Sequence, residues 1–408
     1  MSKSRNNNKK TNKVHKNNTS FENAVFEIAS AFMNGSKSSV PEIDDKNFND
    51  YVEKLREHKL LPLAAFVMSD TKISEPNCQL LKSEALAQIM FQENKNSAFL
   101  KAYKAMISAG AKPICVKGCV CEALWSIPSL RISGDADIIA SGKDFCICSD
   151  VLQSLGFSIS DDNSNDEKSF IDKNNGCKIE LHSSPFSDDS FASDFNNLLE
   201  DLSLNTSSVI IDGVEVLCPS VQKHLIYVVL HAFKHFIIAG VGIRQLMDIS
   251  LISMDESIDW KIVFEKCSLV SADGFLNAVL LICNKYFGLD ISRIDSPLFD
   301  SSLDCELMLD DIKQGGIYGS VDSDRQSGGN LTRNSYSKSQ NGEHYAYIFL
   351  PLKDMKKRYP YLRRFPFLLP FAWIQRIFRF LFSDNKLSES VASGKARENV
   401  MKYYRIVK

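Results

Sequence analysis

The 408-residue chain lacks any run of about 20 apolar residues, the length a bilayer-spanning helix needs, so a helical integral membrane protein is excluded. Residues 1–20 hold six Lys or Arg but no acid and no apolar stretch. Without an apolar h-region this segment is not a secretory signal, and its Asn/Lys composition predicts a disordered basic tail. Eleven cysteines form no regular framework, which suits reduced thiols and a cytoplasmic location. The Cys119-x-Cys121 and Cys146-x-Cys148 pairs are spaced more tightly than the roughly two-to-four-residue gap of zinc knuckles, and buried thiols are expected there. There is no G-x-x-x-x-G-K-[ST] phosphate loop and no H-E-x-x-H zinc helix.

What the chain does have is an apolar fraction of 44 %, enough for a large core and about two or three domains. Charge is unevenly spread. The net charge of −2 comprises +6 in residues 1–20, +10 in 353–408 and −18 in the body between. An acidic body with basic ends argues against a general nucleic-acid binder, whose basic residues line one folded face.

Residues 21–110 read as an N-terminal helical region. Helical spacing runs from Phe21 to Met33, from Tyr51 to Met68 and from Leu80 to Ala109, the last with Leu86, Ile89, Met90, Leu100, Tyr103, Met106 and Ile107 as its apolar positions. Residues 111–218 change texture to short strands and helices. Pro113–Val116 is a strand, Lys117-Gly118 a turn and Cys119–Trp125 a helix. Residues 135–140 form a strand, 143–155 a helix, 161–168 a polar loop and Cys177–His182 another strand. Two β-branched runs flank Asp212-Gly213, a hairpin signal. Residues 219–303 are helical again. Residues 304–344 include a Gly/Ser/Asn-rich stretch without apolar periodicity, read as a flexible loop. Residues 345–408 are a basic amphipathic segment. The fold class expected is α+β: a small mixed sheet flanked by helical regions.

The candidate chemistry starts at Arg131-Ile132-Ser133-Gly134-Asp135-Ala136-Asp137. Side chains alternate along a strand, so Asp135 and Asp137 share one side, where a cation would relieve their repulsion. A D-x-D pair also arises by chance in loops. In Lys178-Ile179-Glu180-Leu181-His182 the apolar residues face one way, and Lys178, Glu180 and His182 the other. Glu180 is either an exposed strand residue or, beside the Asp strand, the third carboxylate of a site for divalent metal. Gly118 at a strand-to-helix turn admits a ligand close to the backbone, and Lys117 could add charge to a phosphate. Arg131 and Ser133 either contact phosphate or fix the turn, with Arg131 paired to a nearby acid.

Taken in order, Val116–Gly118, Leu130–Ile138, Ile179–His182 and the HAFKH/GIRQLMDI run of His231–Ile249 resemble the nucleotidyltransferase-fold superfamily, and within it a bacterial family of uncharacterised nucleotidyltransferases. The likeness spans roughly residues 50–300. Here Gly118 is followed by Cys rather than a second Gly or Ser, and the interval from Gly118 to Asp135 is longer than in polymerase-type members. The resemblance implies transfer of a nucleoside monophosphate from an NTP to an unidentified acceptor. Mg²⁺ or Mn²⁺ would sit on Asp135, Asp137 and Glu180, with Glu180 either ligand or base, and Lys117, Gly118 and Arg131 would hold the triphosphate, with Ser133 and His182 also placed at the nucleotide. Alternatives are an inactive nucleotide- or partner-binding protein of the same fold, and a metal-dependent phosphohydrolase.

His231 and His235, i and i+4 on one helix, are read with Lys234 as near phosphate. A zinc site would need a third ligand such as Asp248, and burial with backbone bonding is the plain alternative. Arg244 and Asp248, also i and i+4, are expected to pair. The Arg363–Phe382 segment has a wide apolar face. Its plain reading is a helix docked on its own protein body. The sharper one is peripheral contact with an anionic membrane, at the inner face.

Overall fold

The computed structural model describes residues 23–36, 43, 45–68, 73–160, 166–187, 191–315, 323–341, 352, 355–356, 359–382 and 386–408. The basic tail 1–20 lies outside the described residues. The chain is α+β, with a five-stranded mixed sheet and a separate hairpin set between helical regions.

Helix α1 (residues 23–33) precedes α2 (Phe48–Glu57) and α3 (Leu61–Val67). The Tyr51–Met68 periodicity is therefore two helices. Lys59 takes a positive φ of 55° between them, which breaks the helical path, and Pro62 sits in the first turn of α3. Helix α4 (Glu75–Ser108) is 34 residues long. Its buried stripe is Leu81, Ala85, Gln92, Lys95, Phe99, Tyr103 and Met106, while Leu86, Met90 and Ile107 are exposed. The predicted positions Leu100, Tyr103 and Met106 are buried, while Leu86, Met90 and Ile107 are not, because the inner stripe carries the polar Gln92 and Lys95 that bond the loop before the sheet.

Strand β1 (Ile114–Val116) and helix α5 (Gly118–Glu122) lead to β2 (Ala136–Ile139) and α6 (Lys143–Ser154). Then come β3 (Ser158–Ile159), β4 (Glu167–Ile171) and β5 (Lys178–His182). The sheet order is β1-β2-β5-β4-β3, with only the β2–β5 pair parallel. Strand β4 begins inside the stretch read as polar loop. Its sole fully buried residue is Phe170, so its sequence shows no alternation to detect. Ile138, Phe170, Ile179 and Leu181 pack from the sheet onto Phe99, Tyr103 and Met106 of α4 and Phe145 and Leu152 of α6. That packing fixes which sheet face is left for Asp137 and Glu180. Of the paired cysteines, Cys119, Cys121 and Cys148 are buried, but Cys146 is exposed on the outer side of α6.

The hairpin β6 (Thr206–Ile211) and β7 (Val214–Pro219) turns at Asp212-Gly213, both with positive φ. Helices α7 (Val221–Ile238), α8 (Ile243–Ser253), α9 (Trp260–Ser268) and α10 (Asp273–Phe287) build the larger, helical core with α1 to α3. The segment read as flexible contains helices α11 (Glu306–Gly315) and α12 (Ser323–Asn341). Helix α12 has no apolar stripe because it docks through small and polar groups. Thr332 donates to the Ile237 carbonyl, and Tyr336 donates to the Val270 carbonyl at 2.7 Å. Gly329 lies so close to α7 that a Cβ would meet the Ile238 carbonyl oxygen at 1.9 Å.

Near the C-terminus, the helix Leu369–Phe382 rests on a small cluster of Met355, Tyr359, Leu362 and Ala372, and the helix Lys386–Tyr403 follows. The expected docking of its apolar face on the protein body is not seen: Phe371, Ile374 and Phe378 are exposed. Among the described residues no helix is long and apolar enough to cross a membrane.

Candidate active site

The register of the parallel pair builds the centre of the site. Asp137 of β2 lies opposite Glu180 of β5, and Ile139 opposite His182. Period-two alternation then puts Asp137, Glu180 and His182 on one face, with Ile138, Ile179 and Leu181 behind it in the core. Potential ligand atoms of Asp137, Glu180 and His182 all lie within 4.8 Å of one another. Nε2 of His182 is 3.5 Å from Asp137 Oδ1 and 3.8 Å from Glu180 Oε2, buried and without a hydrogen-bond partner among the described residues. A buried orphan nitrogen beside two carboxylates fits a divalent cation, whose charge would satisfy all three groups. Asp135 lines the adjoining cleft but stands outside this close set. The compact trio thus includes His182 where the D-x-D spacing led us to expect Asp135.

Lys117 closes the site from the β1–α5 turn. Its backbone has φ 52° and ψ −133°, a conformation that costs a non-glycine residue about 1–3 kcal/mol and persists only where the surroundings hold it. Its N–H donates to Nε2 of buried His224 at 3.1 Å, which is one such restraint. Its ammonium is 2.9 Å from Asp137 Oδ1 and 3.1 Å from Nε2 of His231, with the Tyr227 ring beneath it at 5.9 Å. Gly118 also has positive φ, 35°, and approaches the Asp135 backbone.

Electrostatics pull the two facing carboxyls apart. Burial would raise Asp137, but the Lys117 ammonium and His182 outweigh it and hold the carboxyl below its usual range. Burial raises the Glu180 carboxyl, and the charges of Asp137 and Asp135 raise it further, against the opposing pull of its Lys178 partner. A neighbouring pair with one strong and one weak acid is the pattern expected of groups with different chemical roles. His231 and His235 are lowered by burial and by Lys117, His235 to about 3, so both are neutral. Their Nε2 atoms are 2.8 Å apart.

Arg131 is fully engaged in structure. It donates through Nε and Nη2 to both oxygens of Asp248 at 2.8 and 2.7 Å, and through Nη1 to the Gly118 carbonyl and to Ser133 Oγ. Trp125 Nε1 also donates to Asp248 at 3.0 Å. Asp248 therefore pairs with Arg131, not with Arg244, and is not free to serve as a zinc ligand for His231 and His235. Arg244 instead donates to the Ile132 carbonyl. Arg131 and Ser133 fix the loop that delivers Asp135 and Asp137. Lys234 sits over the Phe186 ring at 5.8 Å and is not among the residues lining the cleft.

Several contributors were not legible as site residues. Gln92 Oε1 accepts the Ser133 N–H at 3.0 Å, and Lys95 donates to the Ser133 carbonyl at 2.5 Å, so α4 clamps the loop before β2. Lys59 lies against Gly134, and burial with neighbouring cations lowers it to about 8. The usable signal was a polar pair inside the buried stripe of a long helix. The cleft bounded by Lys117, Arg131, Asp135, His231 and Arg244 has a volume of about 30 Å³. That is room for an ion or a water.

No curated protein and no solved structure matches the chain. A family model described as uncharacterised nucleotidyltransferase matches residues 44–288. That match covers more than half of the sequence and contains every group of the site, and the chain belongs to this family of nucleotidyltransferases.

Proposed function

We propose that the chain moves a nucleoside monophosphate from an NTP to an acceptor hydroxyl or phosphate, with a divalent cation held by Asp137, Glu180 and His182. The observation that carries this reading is the β2–β5 register, which sets a lowered and a raised carboxyl side by side next to a buried imidazole whose Nε2 makes no hydrogen bond among the described residues. When bound, the cation supplies charge neutralisation at the triphosphate. Two carboxylates with one imidazole suit Mn²⁺ at least as well as Mg²⁺. Asp135, which lines the adjoining cleft, is the added carboxylate on that side of the site.

Lys117 and the Gly118 turn face the phosphates, as a cation and a close backbone approach at the start of a helix. Glu180 takes the proton from the acceptor through Oε1, the oxygen paired with Lys178, while Oε2 faces His182 and the cation, as the acceptor oxygen bonds to the α-phosphorus. The α–β P–O bond breaks and pyrophosphate leaves. Where the acceptor is an already ionised phosphate, no proton moves.

The test is incubation with each α-labelled NTP, Mg²⁺ or Mn²⁺, and a cell extract as acceptor pool. Wild type should yield a labelled product that requires the metal. Asp137→Asn should lower turnover by more than about a hundredfold, the upper end of what losing a mere outer-shell partner costs. Label released only to water would assign a phosphohydrolase instead. Absence of any metal-dependent NTP consumption would overturn the transferase reading.

A further inference from the structure

We infer that the Phe365–Phe378 surface seats this protein on an anionic lipid bilayer, lying in the plane of the interface. The exposed side chains are Phe365, Phe367, Phe371, Ile374 and Phe378, between 43 and 75 % accessible. Residues 371, 374 and 378 recur at three and four and form one outward stripe of the helix Leu369–Phe382. Phe365 and Phe367 extend it through the preceding turn. The opposite side carries buried Ala372 and Arg376. The stripe is thus the outer face of a folded unit rather than part of its core. A water-facing stripe of four Phe and one Ile is far more apolar than solubility requires.

Charge selects the occupant. Residues 355–383 contain seven Lys or Arg and no Asp or Glu. Arg363 and Arg364 are exposed beside the aromatic residues, with the Arg364 guanidinium 5.8 Å from the Phe365 ring. Aromatic rings flanked by arginines, with acids absent, match the boundary between acyl chains and anionic headgroups. The acidic body, at −18 over residues 21–352, is repelled by the same surface, so it turns away while the basic C-terminal patch faces the headgroups. The helix has 14 residues, about 21 Å at 1.5 Å per residue. That is too short to cross a hydrocarbon core of about 30 Å, and the in-plane seating follows.

The test is co-flotation of the full-length chain with vesicles of phosphatidylcholine alone, or of phosphatidylcholine with one-third phosphatidylglycerol. Wild type should float with the anionic vesicles and stay behind with the neutral ones. Arg363→Gln with Arg364→Gln should weaken binding about thirtyfold, since each basic group near such a surface contributes about 1 kcal/mol. Phe367→Ser, Phe371→Ser and Phe378→Ser together should abolish flotation with an unchanged circular dichroism melt, because all three positions are solvent-exposed. No flotation of wild type, or flotation of both variants equal to that of wild type, would overturn the inference. So would a dimer in light scattering that the Phe substitutions abolish while vesicles go unbound, since the face would then join two copies.

Discussion

Asp248 shows how much of the site depends on residues that never touch a substrate. It accepts from Arg131 twice and from Trp125 once, and Arg131 in turn holds Gly118 and Ser133, on either side of the Asp strand. Both members of the pair are buried. Asp248→Asn leaves an uncompensated guanidinium there, and urea unfolding should show a loss of about 3–5 kcal/mol. Replacing both partners, Arg131→Met with Asp248→Leu, removes the buried charge and should recover most of that loss. The remaining deficit, about 1–3 kcal/mol per group left unpaired, comes from the Trp125 N–H and from the Gly118 carbonyl and Ser133 hydroxyl that Arg131 held. A double variant as unstable as the single one would refute this division of roles. The same residue marks where sequence reasoning stops. Alternation along a strand is a local rule, so Asp137, Glu180 and His182 could be placed on one face from their spacing. The i, i+4 rule is equally local, and it paired Asp248 with Arg244. The true partner, Arg131, is 117 residues away, and only packing decides that.

Elements were legible where their own pattern formed them. The strand–turn–helix at Val116–Gly118, the D-x-D strand and the Asp212-Gly213 hairpin stand as expected because turn chemistry and alternation are written into them. Helix α12 was not legible, since its contacts are a glycine, a threonine and a tyrosine hydroxyl rather than an apolar stripe. That contact is testable. Gly329→Ala gains about 1 kcal/mol of helix propensity in an isolated helix. In the protein the new Cβ would lie 1.9 Å from the Ile238 carbonyl oxygen, a backbone atom that cannot swing aside. Overpacking costs of about 1–3 kcal/mol exceed the propensity gain. Hydrogen exchange should therefore accelerate across Ser323–Asn341 and leave α4 unchanged. Gly274→Ala should act likewise on the C-terminus, where its Cβ would meet the Tyr404 carbonyl oxygen at 1.9 Å and Tyr404 OH bridges Met308 and Asp304. Unaltered exchange in both variants would mean that these glycines are not the docking points.

At the scale of the whole molecule, the helical core and the site share a set of neutral buried histidines. Of seven histidines, four have lowered proton affinity through burial: His58 to about 3, His224 to about 4, His235 to about 3, and His231 also downward. In the unfolded chain each titrates near 6.5. Between about pH 4 and 6.5 the unfolded state therefore binds more protons than the folded one, and stability rises with pH across that interval. The contribution is complete above about 6.5 and is lost progressively as pH falls toward the folded values. For His224 alone, which is 4 % exposed, a gap from 6.5 to about 4 corresponds to about 3 kcal/mol. Two buried carboxyls oppose this slope in the same interval: burial raises Glu122 to about 7 and also raises Glu180, so each holds its proton more tightly in the folded state. Asp137 is held down by Lys117, so its contribution survives until well below the usual carboxylate range. The four lowered histidines outnumber the two raised carboxyls, so acid lability should begin near pH 6 with histidine setting the sign of the slope. The measurement is the urea midpoint of the full-length chain from pH 7.5 to pH 5, which should fall steadily. His224→Gln keeps an acceptor for the Lys117 N–H but cannot titrate, so its profile should be flatter than wild type over the same range. A wild-type midpoint independent of pH between 7 and 5 would show that these rings are protonated or exposed in the folded state, and with them would fall the view of His224 as the neutral acceptor that holds Lys117 in its strained turn.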